Sequence, residues 1–147
     1  MTIRILLVDN SRETLDSLSL LYGLHEDATI SGVADDPHEA LRILQVTAID
    51  LVSIDIDLGT LNGLLLCAQI RDLFPDIYIT ICSVESASLN PESLSGYGAQ
   101  YCLEKPVFYN DVCALLTSYK LLNRRKKRSA RRMKRGSRTI ELRKDTC

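Results

Sequence analysis

Short, mostly apolar runs recur along the chain and are separated by segments with a different spacing. Five such runs lie at residues 3–8, 28–34, 50–54, 77–82 and 100–103. Runs this short that are rich in Ile, Val and Leu are typical of strands buried on both faces of a sheet. The pattern therefore predicts five buried strands.

The intervening segments have the spacing of amphipathic helices. Residues that favour helix starts open them: Ser11, Asp36, Gly63 and, for a short and poorly anchored helix, Asn90. A last helix is predicted over residues 111–122. The predicted buried faces are Leu15, Leu18, Leu21 and Tyr22; Ala40, Leu41, Ile43 and Leu44; Leu66, Ala68, Ile70 and Leu73; Leu89, Leu94 and Tyr97; and Val112, Leu115, Leu116 and Tyr119.

Strands that alternate with helices predict an α/β protein: a doubly wound, five-stranded parallel sheet flanked by helices. The 147 residues fit one domain plus a modest extra segment, and 46% apolar residues suffice for a core without disulfides. We expect a domain over residues 1–122 and a C-terminal tail over 123–147. No apolar run reaches the length of a membrane span, and the N-terminal run does not resemble a secretory signal.

The formal net charge of −1 conceals two oppositely charged parts. Residues 1–119 hold 5 Lys and Arg against 17 Asp and Glu, a balance of −12. Residues 120–147 hold 13 Lys and Arg against 2 Asp and Glu, a balance of +11. The acidic body and the basic tail therefore need separate explanations.

The tail, most basic over residues 123–138, admits several interpretations. Good helix formers favour a helical extension, whereas closely spaced like charges favour disorder. It is either a solvated tail or a contact for nucleic acid, an anionic membrane, an acidic protein or the acidic body itself. It contains no aromatic residues, which would favour stacking on single strands.

The five cysteines are too widely spaced for a disulfide framework or a zinc site: Cys67, Cys82, Cys102, Cys113 and Cys147. An odd count without pairing indicates a reducing compartment, so we expect a cytoplasmic protein. The first four lie in apolar segments and should pack as small hydrophobes, and terminal Cys147 should be exposed.

Polar residues follow the predicted strands at four points in the chain. They are Asp9 and Asn10, Asp55 and Asp57, Ser83, and Lys105. Each alone is an ordinary cap, turn or loop residue, but the carboxyl ends of parallel strands share one edge of a sheet. Carboxylate and amide oxygens suit Mg²⁺, whereas an ammonium and a hydroxyl suit a phosphoryl group. An Asp beside them could act as a nucleophile toward phosphorus.

Residues 3 to about 122 resemble the receiver domain of two-component response regulators (CheY-like). The motifs are Ile-Leu-Leu-Val-Asp-Asn at 5–10, Asp-Leu-Val-Ser-Ile-Asp at 50–55 with Gly63 beyond, Ile-Cys-Ser at 81–83, and Gly-Ala at 98–99 followed by Lys105-Pro106. Their order and intervals match the family throughout. The resemblance implies a flavodoxin-like fold.

The same resemblance implies a role for each strand-end residue. Asp55 would accept a phosphoryl group from a histidine kinase or a histidine phosphotransfer protein, and Lys105 would contact the phosphoryl oxygens. Ser83 would hydrogen-bond the phosphoryl group and move when it arrives, and the Lys105–Pro106 peptide would be cis. Mg²⁺ would be held by Asp9, Asn10, Asp55 and the backbone carbonyl of Asp57.

Four positions depart from the family pattern. Asn10 replaces a usual second acid, so we expect weaker Mg²⁺ binding. Gly59 replaces a usual proline and should loosen the loop. Val84 replaces a small residue and should restrict access of water or small phosphodonors. Cys102 replaces a common aromatic, and neighbouring Tyr101 should point to the opposite face of the sheet.

The favoured hypothesis is a phosphoryl-controlled interaction protein or phosphorelay intermediate, not an enzyme, with a possible downstream protein target. Two alternatives stay open. One is a receiver-like binding module that is not phosphorylated, and the other is a regulator that binds nucleic acid through residues 123–138.

Overall fold

The computed structural model describes residues 2–85 and 89–145, with side-chain surroundings as far as residue 136. The strands are β1 (Ile3–Val8), β2 (Ala28–Ala34), β3 (Leu51–Asp55), β4 (Tyr78–Ser83) and β5 (Tyr101–Glu104). The helices are α1 (Arg12–Gly23), α2 (Pro37–Val46), α3 (Gly63–Leu73), α4 (Pro91–Gly96) and α5 (Tyr109–Asp145). Predicted strand bounds agree to within one residue, and terminal Cys147 lies outside the described residues.

The five strands form one parallel sheet in the order β2-β1-β3-β4-β5. This is the flavodoxin-like order, so the predicted doubly wound α/β fold is confirmed. The register pairs Val8 with Ile54 and Asp55 with Cys82. The carboxyl ends of β1, β3 and β4 therefore lie at one edge, as the strand-end argument requires.

Both faces of the sheet are covered, which explains why its strands read as continuous apolar runs. One face presents Leu6, Val52 and Ile79 to buried side chains of α2 and α3 and to Leu94 of α4. Full burial of one such side chain contributes about 1.5–3 kcal/mol, so this cluster is a principal source of stability. On the other face Tyr22 of α1 lies completely buried.

The buried face of α3 differs from the prediction. The structure buries Leu66 and Ile70 as expected. The other buried residues of α3 are Gly63 and Cys67, not the predicted Ala68 and Leu73. Positions 63, 67 and 70 repeat at helical spacing, whereas Ala68 faces solvent. Leu73 shares the helix face of Ile70 but is the last residue of the helix. It lies in an open groove at the opposite edge of the sheet and is therefore 60% exposed.

The last helix is longer than predicted. α5 continues from Tyr109 to Asp145, so the segment expected to be a helical extension or disordered is helical as far as it is described. Residues 1–113 and 114–147 form two compact units, and the division into a domain over 1–122 and a tail stays a prediction. Among the helices of the described chain, none combines the length and apolar character needed to cross a bilayer.

Within the described part of the chain, four cysteines are outside any disulfide. Cys67 and Cys82 are buried, as expected of small hydrophobes, whereas Cys102 and Cys113 are partly exposed. Burial raises the pKa of the Cys67 and Cys82 thiols to about 11, so both are neutral near pH 7. Neither buried thiol is therefore a reactive thiolate.

Candidate functional site

Asp55 is held at the carboxyl end of β3 by a tightly folded turn. The residue is 7% exposed. Ile56 donates its backbone N–H to the Cys82 carbonyl at 2.9 Å, and Gly63 donates to the Ile56 carbonyl at 2.7 Å. These bonds bring the start of α3 against the strand so closely that a Cβ on Gly63 would collide with the Asp55 carbonyl oxygen. Glycine at position 63 thus permits the turn that places Asp55.

Asp9 occupies the equivalent place on β1 and is 1% exposed. Its backbone N–H donates to the Ala34 carbonyl at 3.1 Å, which extends the β1–β2 pairing by one residue. One carboxylate oxygen, Oδ1, accepts the backbone N–H of Ser11 at 2.8 Å. The other, Oδ2, remains directed at the strand edge and contacts a lysine.

Lys105 connects the two buried carboxylates. Its Nζ lies 2.9 Å from Asp9 Oδ2 and 3.0 Å from Asp55 Oδ2. The backbone N–H of Lys105 donates to the Ser83 carbonyl at 2.8 Å, which places the side chain beside β4. The Lys105–Pro106 peptide is cis, as the resemblance implied. Three residues far apart in sequence are therefore brought into one ion-paired cluster.

The cluster is short of positive charge. Burial raises the pKa of Asp55, the Lys105 ammonium and the Asp57 N–H oppose that rise, and the Asp9 charge adds to it, so the pKa ends above its ordinary value. For Lys105, burial lowers the pKa, but the bonds to Asp9 and Asp55 outweigh it and the pKa is raised. Two carboxylates that share one ammonium would be stabilised by a further cation.

Asp57 and Asn10 lie exposed at the rim of this cluster. The backbone N–H of Asp57 donates to Asp55 Oδ1 at 3.2 Å, and its carboxylate accepts the Gly59 N–H at 3.0 Å. The carboxylate of Asp57 thus stabilises its own loop, which leaves its backbone carbonyl as the candidate ligand. A Cβ on Gly59 would lie 3.2 Å from the amide nitrogen of Asn10, so Asn10 lies over the same loop.

Gly59 adopts φ +77°, in the left-handed region that favours glycine. Proline fixes φ near −65° and could not take this conformation, which explains why the usual proline is absent here. The loop is hydrogen-bonded internally, with Leu58 and Thr60 N–H groups donating to the Leu61 and Leu58 carbonyls at 3.2 and 2.9 Å. The expected looseness of this loop stays a prediction.

Ser83 is 4% exposed at the end of β4. Its hydroxyl oxygen accepts the backbone N–H of Glu85 at 3.1 Å, and its backbone carbonyl accepts from Lys105. Among the described residues this hydroxyl is engaged as an acceptor, and an acceptor hydroxyl keeps its proton available for another partner. Val84 beside it is 70% exposed and stands at the rim of the site.

The donor set fits Mg²⁺ better than a softer metal. Within residues 2–85 and 89–145 no three His, Cys, Asp or Glu side chains are grouped to hold a metal ion. Asp9 and Asp55 nevertheless converge on one lysine, and the Asn10 amide oxygen and the Asp57 carbonyl lie at the rim. Mg²⁺ commonly binds through one or two carboxylates and keeps several waters, so two carboxylates with excess negative charge suit it.

A groove of about 540 Å³ adjoins the cluster. Lys105, Pro106 and Val107 line one side, and Val84 stands at its rim. The opposite wall is a face of α1: Glu13, Thr14, Ser17, Leu18 and Leu21. This wall is not among the predicted site residues, although Glu13, Ser17 and Leu21 recur at helical spacing shortly after β1.

Tyr101 and Cys102 lie on opposite faces of β5. The register pairs Tyr101 with Thr80 and Cys102 with Ile81, and Cys102 packs against the core cluster of α2 and α3. A cysteine therefore occupies the face where the family commonly has an aromatic. The consequence of this replacement for a switch stays a prediction.

Three comparisons with known proteins are consistent with this geometry. The sequence model of the "Response regulator receiver domain" family matches residues 5–117. Two curated relatives are named protein-glutamate methylesterase/protein-glutamine glutaminase. The protein from Oleidesulfovibrio alaskensis is 26% identical and that from Caulobacter vibrioides 28% identical, each over 106 residues. Both alignments cover 71% of this chain and 30% of the relative. The chain spans about 30% of the length of these relatives, so the likeness concerns one shared domain.

Solved structures give the same result. A CheY-like receiver domain protein from Methanospirillum hungatei has TM-score 0.71 and 25% identity, covering 86% of this chain and 99% of its own. The response regulator domain of Thermotoga maritima CheB has TM-score 0.70 and 23% identity, covering 82% and 96%. CheY in a CheX–CheY–BeF3–Mg complex from Borrelia burgdorferi has TM-score 0.71 and 22% identity, covering 79% and 87%. The last two, below 25% identity, support the fold alone.

Proposed function

Because this chain belongs to the response regulator receiver domain family, we propose that it is a phosphoryl-accepting switch with Asp55 as the acceptor. The phosphoryl group would come from a sensor histidine kinase or a histidine phosphotransfer protein, in the cytoplasm. The observation that supports this proposal most strongly is Lys105, which lies within 3.0 Å of both Asp9 and Asp55 at the edge of the sheet. The proposed role is regulatory and not enzymatic.

The proposed step is a transfer from nitrogen to oxygen. An Asp55 carboxylate oxygen attacks phosphorus, a P–O bond forms, and the P–N bond to the donor imidazole breaks with its electron pair left on nitrogen. The Lys105 ammonium, already 3.0 Å from Asp55 Oδ2, offsets the charge on the transferred oxygens. Hydrolysis of the acyl phosphate by water would return the carboxylate and release phosphate.

Mg²⁺ fits the donor set described above. Asp9, Asn10, Asp55 and the Asp57 carbonyl would hold it, and when bound it supplies positive charge to the phosphoryl oxygens. Replacement of a second acid by Asn10 removes one negative charge from this set, so affinity for the ion should be reduced but retained. A protein of the same fold, CheY from Borrelia burgdorferi, has been crystallised with BeF3 and Mg.

The switch would act through charge. A phosphoryl group adds about −1.5 to −2 charge and strong acceptor oxygens, for which the Ser83 hydroxyl proton is a ready partner. Movement of Ser83 would then alter the neighbouring surface of α4 and β5 that a downstream protein reads. A shift from 1:99 to 99:1 needs about 5.5 kcal/mol of differential stabilisation, a quantity within reach of several charge-assisted bonds. With Cys102 in place of an aromatic, Ser83 would carry this movement without an aromatic partner.

The groove beside Lys105 is the proposed docking place of the phosphoryl donor. It opens between α1 and the segment of Pro106 and Val107, next to the acceptor carboxylate. The α1 wall contributes apolar side chains, Leu18 and Leu21, and polar side chains, Glu13 and Thr14. A donor protein seated there would present its phosphohistidine to Asp55 from the open edge of the sheet.

Treatment of the full chain with a small phosphodonor and Mg²⁺ tests the proposal. Intact-mass spectrometry should show the addition of one phosphoryl group, and removal of Mg²⁺ with a chelator should suppress it. A phosphorylated phosphotransfer protein provides a second donor if the small molecule is excluded. Absence of the adduct with every donor would favour the alternative of a receiver-like binding module, which the replacements at positions 10 and 84 also suit.

Val84→Ala should increase the rate of phosphorylation by a small phosphodonor several-fold. Val84 is exposed at the rim of the site, so a smaller residue opens the approach to Asp55 with little effect on packing. Val46→Ala is the matched control, because Val46 is also 70% exposed but lies at the end of α2, away from the strand edge. Equal rates for the two variants in a time course of adduct formation would contradict the proposed restriction.

A further inference from the structure

The family resemblance does not account for the basic part of α5. Residues 123–136, called here the basic helix, contain nine Lys and Arg and no Asp or Glu. All nine are exposed: Arg124, Arg125, Lys126, Lys127, Arg128, Arg131, Arg132, Lys134 and Arg135. Fourteen helical residues span about 21 Å at 1.5 Å per residue. The segment is thus a helical rod with a high density of positive charge.

The charges are unevenly distributed around this rod. At 3.6 residues per turn, all basic positions except Lys126 fall within one half of the helix circumference. The opposite half holds small or uncharged residues together with Lys126: Ser129, Ala130, Met133 and Gly136. One side of the basic helix therefore presents a continuous positive face.

This positive face costs stability when it stands alone. Pairs such as Arg124 with Arg128, and Lys127 with Arg131, are four residues apart, where like charges destabilise a helix. The segment itself contains no acid that could offset them, and the intrinsic helix preference of Arg, Lys, Ala and Met opposes this cost. A polyanion along the positive face would remove this repulsion, so charge complementarity identifies the type of partner.

The composition of the basic helix distinguishes among polyanions. An interfacial helix needs an apolar face for the membrane, and Met133 is the sole large apolar residue on the uncharged side. Binding of single strands commonly uses aromatic residues for stacking, and the segment has none. Duplex nucleic acid presents about one negative charge per 1.7 Å of its axis. The positive face, with eight basic residues along about 21 Å, carries a comparable though somewhat lower density of charge.

We propose that the basic helix binds the phosphate backbone of double-stranded nucleic acid. Six of the nine basic residues are Arg, whose planar guanidinium suits bidentate contact with phosphate. Contacts to phosphate oxygens carry no sequence information, so the proposed binding does not depend on a particular base sequence. This contact does not require phosphorylation of Asp55, so the unphosphorylated chain should bind.

The test is the salt dependence of binding of the full chain to a labelled duplex of about 20 base pairs. Each phosphate contact contributes about −0.9 to the slope of log K against log salt concentration, so six contacts would weaken binding about a thousandfold between about 50 and 200 mM salt. The variant R124Q/K127Q/R128Q/R131Q should reduce the slope by about 3 to 4 units. Gln keeps the helix preference, and circular dichroism checks that helix content is unchanged.

Two adjacent lysines provide a matched control. Lys127→Gln alters the positive face and should reduce the slope by about 0.9, whereas Lys126→Gln, on the opposite side, should change it little. Equal effects of the two changes would overturn the assignment to this face. Binding that is insensitive to salt, tighter binding to single strands, or binding to phosphatidylserine vesicles or poly-aspartate without binding to the duplex would overturn the proposal.

Discussion

The Asp55→Asn protein should take up no phosphoryl group and should nevertheless be more stable than the wild type near neutral pH. The loss follows because an amide cannot act as the nucleophile. The gain follows because Asp55 is buried beside Asp9, with which it shares one lysine. A neutral side chain of the same shape removes a charge that the folded protein accommodates less well than water does.

The gain in stability should depend on pH in a defined direction. Burial raises the pKa of Asp55 above its ordinary value of 3.8, so the folded protein holds this proton more tightly than the unfolded chain. The free energy of unfolding of the wild type therefore falls as pH rises from about that ordinary value through the raised one. The asparagine variant lacks this loss, and its advantage should shrink as the solution is acidified through the same range.

Urea unfolding of both proteins across this pH range, together with intact-mass spectrometry after phosphodonor treatment, checks the two expectations. Asp57→Asn is the matched control, because the Asp57 carboxylate is exposed and accepts the Gly59 N–H of its own loop. It should keep the adduct and show no comparable gain in stability. An adduct on Asp55→Asn would show that another residue is the acceptor. A less stable Asp55→Asn protein would show that Lys105 fully compensates both carboxylates.

The site could be anticipated from the sequence because parallel strands end at a common edge. Asp9 follows β1 and Asp55 ends β3, which are neighbours in the sheet, and Lys105 follows the edge strand β5, so topology brings them together. The contact of Lys105 with Asp9 could not be anticipated. It depends on the backbone bond from Lys105 to the Ser83 carbonyl and on the length of the lysine side chain, neither of which leaves a sequence pattern.

Local sequence patterns do not predict the structure where two conformations or environments fit the pattern equally well. Leu73 continues the helical spacing of α3, but its place at the end of the helix leaves it in an open groove. The sequence of residues 123–145 does not decide between helix and disorder, because helix preference and like-charge repulsion oppose each other with similar strength. The left-handed backbone conformation of Gly59 could not be predicted either, because glycine at a loop position is compatible with many conformations.

Gly63→Ala should lower the free energy of unfolding by about 1–3 kcal/mol, the usual cost of overpacking. An added Cβ would collide with the carbonyl oxygen of Asp55 and press on its carbonyl carbon and on the Ile56 Cα, each 2.9 Å away. All three contacts are backbone, so no side-chain rotation can relieve them, and α3 or the end of β3 must move. Since folded domains are stable by about 5–15 kcal/mol, a loss of this size is a substantial fraction of the total.

The same substitution should also slow phosphorylation, because the strain falls on the residue that carries the acceptor carboxylate. Gly23→Ala is the matched control: Gly23 is the last residue of α1, and an added Cβ there meets nothing within 4 Å. Without strain, Gly→Ala usually stabilises by about 0.4–1 kcal/mol through the unfolded chain, so the two alanine variants should differ in sign. Denaturant unfolding and adduct formation should be measured on both. If Gly63→Ala matches Gly23→Ala in stability and the wild type in phosphorylation rate, the close approach of α3 does not position Asp55.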